Sequence, residues 1–93
     1  MSATEILIEV AGWAGAALIL LAYLLLSMGR LTGQSAVYQA MNLVGAAGFV
    51  VNGWWHGAIP SASLNVVWGL IGGFALWRIL RRRKVAVEPT PLA

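Results

Sequence analysis

The stretch SAVYQAMNLVGAAGFVVNGWW runs from Ser35 to Trp55 without a formally charged residue. It reaches the roughly 20 residues needed to cross a hydrocarbon core about 30 Å thick. Its polar and aromatic members follow a pattern. Tyr38, Asn42, Gly45, Phe49, Asn52 and then His56 recur at steps of four and three, so they share one helical face. Polar groups inside a membrane are costly and turn toward the bundle or a watery cavity. The stretch therefore predicts a spanning helix with one face turned away from lipid.

Two more runs of similar character flank it. Ile6–Met28 contains a single acid, Glu9, and Ser61–Leu80 a single base, Arg78. Sixty per cent of the 93 residues are hydrophobic and 10% are charged, against about 25% charged in an ordinary soluble domain. A chain this short cannot hide that much apolar surface from water. The reading is an all-α membrane protein, a bundle of three transmembrane helices over about 6–28, 35–55 and 61–80. They form one domain over 1–84, followed by a disordered cytoplasmic tail over 85–93 that carries Pro89 and Pro91. The first run lacks a basic leader and exceeds the 7–15 residue apolar region of a signal peptide, so it reads as a retained helix. Cysteine is absent, which excludes disulfides and thiolate metal sites.

All six basic residues agree on an orientation. Arg30 lies between spans one and two, and Arg78, Arg81, Arg82, Arg83 and Lys84 follow or end span three. The positive-inside rule puts that side in the cytoplasm and the amino terminus outside. A basic run directly after a span is a topology anchor that meets anionic headgroups, so the net charge of +3 does not point to nucleic acid.

Small residues supply the packing. Gly12 and Gly15, Gly45 and Gly48, and Gly69, Gly72 and Gly73 lie in the three spans, where they let helix backbones approach closely. Gly69 and Gly73 form a G-x-x-x-G, open to use within a protomer or between two. Trp54, Trp55 and Trp77 lie at span ends, as an interfacial belt requires. Trp13 and Trp68 lie deeper.

The other spans carry polar faces too. Glu9, Trp13, Leu20, Tyr23 and Ser27 share a face of the first, and Ser61, Asn65, Trp68 and Gly72 a face of the third. A single asparagine can be interhelical glue, contributing roughly 0.6 kcal/mol. Glue needs one or two groups, whereas a file of amides and rings suits a path for a sugar-like or other small polar solute. Asn65, Phe49, Asn42, Asn52 and Trp68 are the candidate path residues, and Glu9, His56 and Tyr23 the candidate gates. Glu9 and His56 both fall near the outer surface, so they can meet as an outer latch. With one histidine and three acids, the chain offers no catalytic set, metal cluster or cofactor motif.

These residues resemble the SemiSWEET and PQ-loop family of three-helix bacterial units. Gly12-Trp13 matches the G-Y/W that opens their first helix, and Ala22-Tyr23 a small-aromatic pair. Phe49-x-x-Asn52-Gly53 resembles W-x-x-Y-G in their second, and Pro60-x-x-x-x-Asn65 a P-x-x-x-x-N in their third. The chain is also similar to a group of small bacterial membrane proteins that carry G-W-x-G-A, Y-Q-x-x-N-x-x-G and H-G-x-x-P-S. These are Gly12–Ala16, Tyr38–Gly45 and His56–Ser61 here.

The SemiSWEET resemblance implies that the third helix packs between the first two. It also implies a parallel homodimer enclosing a central sugar path, lined by Asn65 and by Phe49 in place of a tryptophan. Phe49 lacks the indole N–H, and Trp68, one turn after Asn65, offers a second ring. The family's Pro-Gln hinge pair falls at Leu25-Leu26, where a straight helix is allowed. The expectation is a homodimeric transporter working by facilitated diffusion with alternating access, since one protomer has too few helices to enclose a path. Its rival is a structural or regulatory subunit that binds another membrane protein through the glycine faces.

Overall fold

The structure, a computed structural model, describes residues 1–87 and is built of three helices. α1 spans Ala3–Ser27, α2 Ala36–Trp55 and α3 Ile59–Val87. Against the expected spans, α1 starts three residues earlier and ends one earlier, α2 starts one residue later, and α3 starts two residues earlier, runs past residue 80 and takes in the first three residues of the expected tail. The remainder of that tail, 88–93, lies outside the described residues.

Local chemistry accounts for the helix ends. Glu5 N donates to Ser2 Oγ and Ser2 N donates to Glu5 Oε1, each at 3.1 Å. This capping box satisfies two otherwise orphaned donors reciprocally, and its hydrogen bonds, from the Ser2 backbone first, hold the Glu5 carboxyl below its usual range. That contribution is present above the unfolded carboxylate pKa and is lost as pH falls through the depressed folded value. Ser35 caps α2 by accepting from Tyr38 N at 3.3 Å.

The two turns share one solution. Gly29 and Gly57 have φ of 76° and 72°, a left-handed conformation that costs other residues more. Arg30 N donates to Leu25 O and Gly29 N to Leu26 O, and after α2 Ala58 N donates to Gly53 O and Gly57 N to Trp54 O. Both helices therefore end in a Schellman motif that satisfies their last carbonyls. Pro60 follows at once inside the first turn of α3, where a missing N–H leaves little unpaired.

α2 is the middle helix. It packs against both α1 and α3, whereas among the described residues no Cα of α1 comes within 8 Å of one in α3. The expectation that the third helix lies between the first two is therefore corrected, and the α1–α2 seam supplies the physical reason. A Cβ on Gly15 would lie 2.6 Å from the Gly45 carbonyl oxygen, and one on Gly48 would overlap the Ala11 carbonyl oxygen. Backbones in direct contact leave no room for another helix. The Gly69–Gly73 pair also faces inward, because Cβ atoms there would sit 3.5 Å from Ala46 and 3.7 Å from Leu43 of α2. Partners at rising positions on one helix and falling positions on the next make both neighbouring pairs antiparallel.

The buried apolar core among the described residues is Ala22, Ala46, Ala62 and Ile79. Large apolar side chains such as Leu7, Leu20, Leu64 and Leu70 point outward. α1 and α3 are long and apolar enough to cross a membrane, yet little of either is buried. A soluble core helix would be mostly buried, so this distribution suits a membrane environment. α2 offers no stretch of comparable hydropathy, because Gln39, Asn42 and Asn52 interrupt it. The three-span expectation is thus matched by three helices, two of them apolar enough to span.

The seam makes a discriminating prediction. Gly48→Ala should destabilise the bundle by about 1–3 kcal/mol, the usual range for overpacking. Gly73→Ala should change stability by well under 1 kcal/mol, because its new methyl makes ordinary contact. Reversible unfolding in mixed micelles, followed by circular dichroism, measures both.

Candidate functional site

α1 and α3 dock on different faces of α2. The α1 side is Gly45, Gly48 and Asn52, and the α3 side is Gln39, Leu43, Ala46 and Gly53. At 3.6 residues per turn, Tyr38 and Phe49 fall in the arc between these faces, with Asn42 toward its α3 edge and Asn52 at its α1 edge. The polar and aromatic file of α2 therefore lies in the arc between its neighbours, with Asn42 and Gly45 buried and Tyr38, Phe49 and Asn52 half-buried.

Two clefts open along this file. One, of about 390 Å³, lies between α1 and α2 and is lined by Glu9, Gly12, Trp13, Ala16, Phe49 and Asn52. The other, of about 180 Å³, lies between α2 and α3 and is lined by Tyr38, Gln39, Asn42, Trp68, Ile71 and Gly72. Asn42 and Asn52 are about 15 Å apart along the helix at 1.5 Å per residue. The clefts thus sit in opposite halves of α2.

The candidate path residues divide between them. Phe49 and Asn52 line the first cleft, and Asn42 and Trp68 the second. Asn65 lines neither of the two. Its Nδ2 donates to Ser61 O of its own helix at 2.9 Å. The other amides are also partnered. Asn42, 6% exposed, donates from Nδ2 to Tyr38 O at 3.1 Å. Asn52 Nδ2 donates to Ile8 O at 3.0 Å across the α1–α2 seam. Among the described residues no buried side-chain polar atom lacks a partner.

Two of the three gate candidates meet. His56 Nε2 lies 3.1 Å from Glu9 Oε1, both side chains being about half-exposed. The contact ties the start of α1 to the end of α2. Tyr23 stands apart from it, about 21 Å further along α1 and 64% exposed.

Basic groups gather at the other end. Gln34 of the first turn shares a hollow with Ile79, Arg82 and Arg83 of α3, and Arg81 stacks over Trp77 with its guanidinium carbon 5.2 Å from the ring centroid. One end of the bundle thus carries Glu9 and His56, and the other the arginines.

Sequence spacing alone did not single out Gln39, Gly12 or Ala16 as lining residues. Gly12 and Ala16 bracket Trp13 at i and i+4, and this small–aromatic–small arrangement is the signal that could have found the first cleft. Gln39 is held by donation of its Nε2 to Gly33 O at 2.9 Å, a bond to the preceding turn that spacing does not reveal.

A protein-family model matches residues 8–83, which take in α1 from its second turn, both turns and most of α3. The chain belongs to that family. No curated protein and no solved structure matches the chain.

The interhelical contacts here should be individually modest. Asn52→Ala should cost roughly 0.6 kcal/mol, and no more than about 1.7, the range for membrane hydrogen bonds. His56→Ala should cost no more than about 1 kcal/mol, as for other half-exposed polar pairs. Unfolding in bicelles with a double-mutant cycle over Glu9 and His56 measures the pair directly.

Proposed function

We propose that the protein is a small transporter of the bacterial inner membrane, crossing it three times with the amino terminus outside and the basic end of α3 in the cytoplasm. The observation that carries this reading is the α2 file, which opens into a cleft in each half of the helix. A file that served only as glue would be covered along its length. The segregation of arginine at one end supports the orientation, and the outward apolar surface supports the setting.

The arc of α2 between α1 and α3 holds two separate clefts rather than a continuous channel, so a single chain does not enclose a polar path. A second copy facing it would, and closed two-fold pairing is the commonest way for one chain to complete such a site. The transported species is a small polar solute, and movement is facilitated diffusion with alternating access. The motif resemblance to SemiSWEET proteins supports the transport class, whereas the helix order differs from what that resemblance implied. Without a proline in the first helix, the change of state falls to the α1–α2 seam, where glycine backbones lie together and the Glu9–His56 contact sits at the outer end.

One observation favours a second reading, a structural or regulatory subunit for another membrane protein. The amide nitrogens of Asn42, Asn52 and Asn65 all donate to backbone carbonyls within the protomer, which uses them for packing.

Proteoliposomes separate the two. A transporter should move at least one small polar solute faster than protein-free vesicles, and Trp68→Ala should lower that rate about tenfold, equivalent to ~1.4 kcal/mol. Asn65→Ala, outside both clefts, should leave it nearly unchanged. Absence of flux across a screen of sugars, polyols, amino acids and amines, together with co-purification in a larger membrane complex, would establish the subunit reading.

A further inference from the structure

The cleft between α1 and α2 has a chemistry that the general reading does not use. Its walls are one carboxylate, Glu9, two aromatic rings, Trp13 and Phe49, one amide, Asn52, and the small residues Gly12 and Ala16. Trp13 is 74% exposed, although it lies nearly three turns inside α1 rather than at a span end. A Cβ on Gly12 would lie 2.5 Å from Asn52 Nδ2, so Gly12 lets Asn52 close the floor of the cleft. We infer that this cleft binds a monovalent organic cation, a quaternary or protonated amine with an apolar body, between the Glu9 carboxylate and the Trp13 and Phe49 rings.

Three observations select this class. The first is charge. Every lysine and arginine lies in the first turn or in the last part of α3, at the opposite end of the bundle. The imidazole of His56 is the one basic group that reaches Glu9 among the described residues, and it contacts Oε1. With Nε2–H donating there, the imidazole orients the carboxylate and leaves Oε2 for a ligand. An anion would meet the carboxylate and the negative faces of two rings.

The second is hydrogen-bonding capacity. A sugar needs several donors and acceptors around it. Asn52 spends one of its two Nδ2 hydrogens on Ile8 O, and besides Glu9 the only other polar group in the lining is the Trp13 indole N–H, fewer partners than the several hydroxyls of a sugar require. The third is ligand number. One carboxylate and one amide oxygen are too few for a hard metal ion, which takes six or more oxygens. Aromatic faces with a carboxylate nearby instead match a soft, weakly hydrated cation, whose attraction to the rings strengthens when water is excluded.

This inference rests on the reading of the α2 file as a solute-facing surface and narrows the solute there to one class. The test is isothermal titration of the full chain in lipid nanodiscs, corrected against empty nanodiscs. The probes are benzyltrimethylammonium, benzenesulfonate and glucose. Saturable binding of benzyltrimethylammonium is expected, with none of benzenesulfonate.

Glu9→Gln should weaken cation binding about tenfold or more, as loss of a partly desolvated charge partner requires. Trp13→Leu should weaken it by a smaller factor, and Asn65→Ala should not change it. Retained helicity and elution volume identify variants that are folded. Trp13→Leu, on an exposed surface, keeps the test decisive should Glu9→Gln not fold.

Equal binding of cation and sulfonate, or cation binding unchanged in both Glu9→Gln and Trp13→Leu, would overturn the inference. Glucose binding with an inert cation would overturn it too while leaving the transport reading standing. Cation binding that depends on Glu9, with no flux in proteoliposomes, would support the inference and remove the transport reading.

Discussion

The contact between the glycine backbones of α1 and α2 is the constraint from which the rest of the molecule follows. Gly15 lies against the Gly45 carbonyl, and Gly48 against that of Ala11. In lipid the hydrophobic effect does not drive helices together, so close approach and the dispersion contacts it permits must do so. Once α1 and α2 are this near, α3 can pack only on another face of α2. The seam also sets the register that carries Ile8 O to Asn52 and Glu9 to His56. One row of missing side chains thus positions the helix order, the interhelical hydrogen bond and the polar contact at one end.

The core this produces is thin. Its buried apolar members are mostly alanines, and no large side chain is fully enclosed among the described residues. The apolar mass faces outward, the reverse of a soluble domain, and the interior holds glycine, alanine and Asn42. Such an interior depends on shape rather than on buried area. The turns contribute in the same spirit. Left-handed glycines at Gly29 and Gly57 close the helices with their own backbone hydrogen bonds, which keeps the connections short and the neighbouring helices antiparallel.

Much of the site was legible as spacing. Steps of four and three along Tyr38–His56 describe one helical face, and that face lies in the arc between α1 and α3, where the two clefts form. Two spans of known length place Glu9 and His56 near one end, where each could equally stand alone in water; that they meet came from the packing of α1 on α2. Other features were not legible. The Gly69–Gly73 pair reads equally as a face for a second copy or for α2, and spacing cannot distinguish partners. Asn65 shares a face with Trp68, yet its amide turns back to Ser61 O. Local bonds of this kind compete with tertiary ones and leave no mark on periodicity. Motif resemblance suggested a helix order in which α3 is central, but short motifs carry local chemistry and say little about which helices adjoin.

By itself the sequence determined three helices, two of them strongly apolar, a polar and aromatic face on the middle one, basic charge confined to one end, and glycines where helices would approach. These are properties of a single helix or turn, set by residue period, by the cost of charge in hydrocarbon and by the freedom of glycine. Only the tertiary structure decided which helix is central, which glycines meet, and how the candidate residues divide between two clefts. Those outcomes depend on contacts between atoms far apart in the chain, where a few tenths of an ångström at Gly15 and Gly48 separate a fit from a collision.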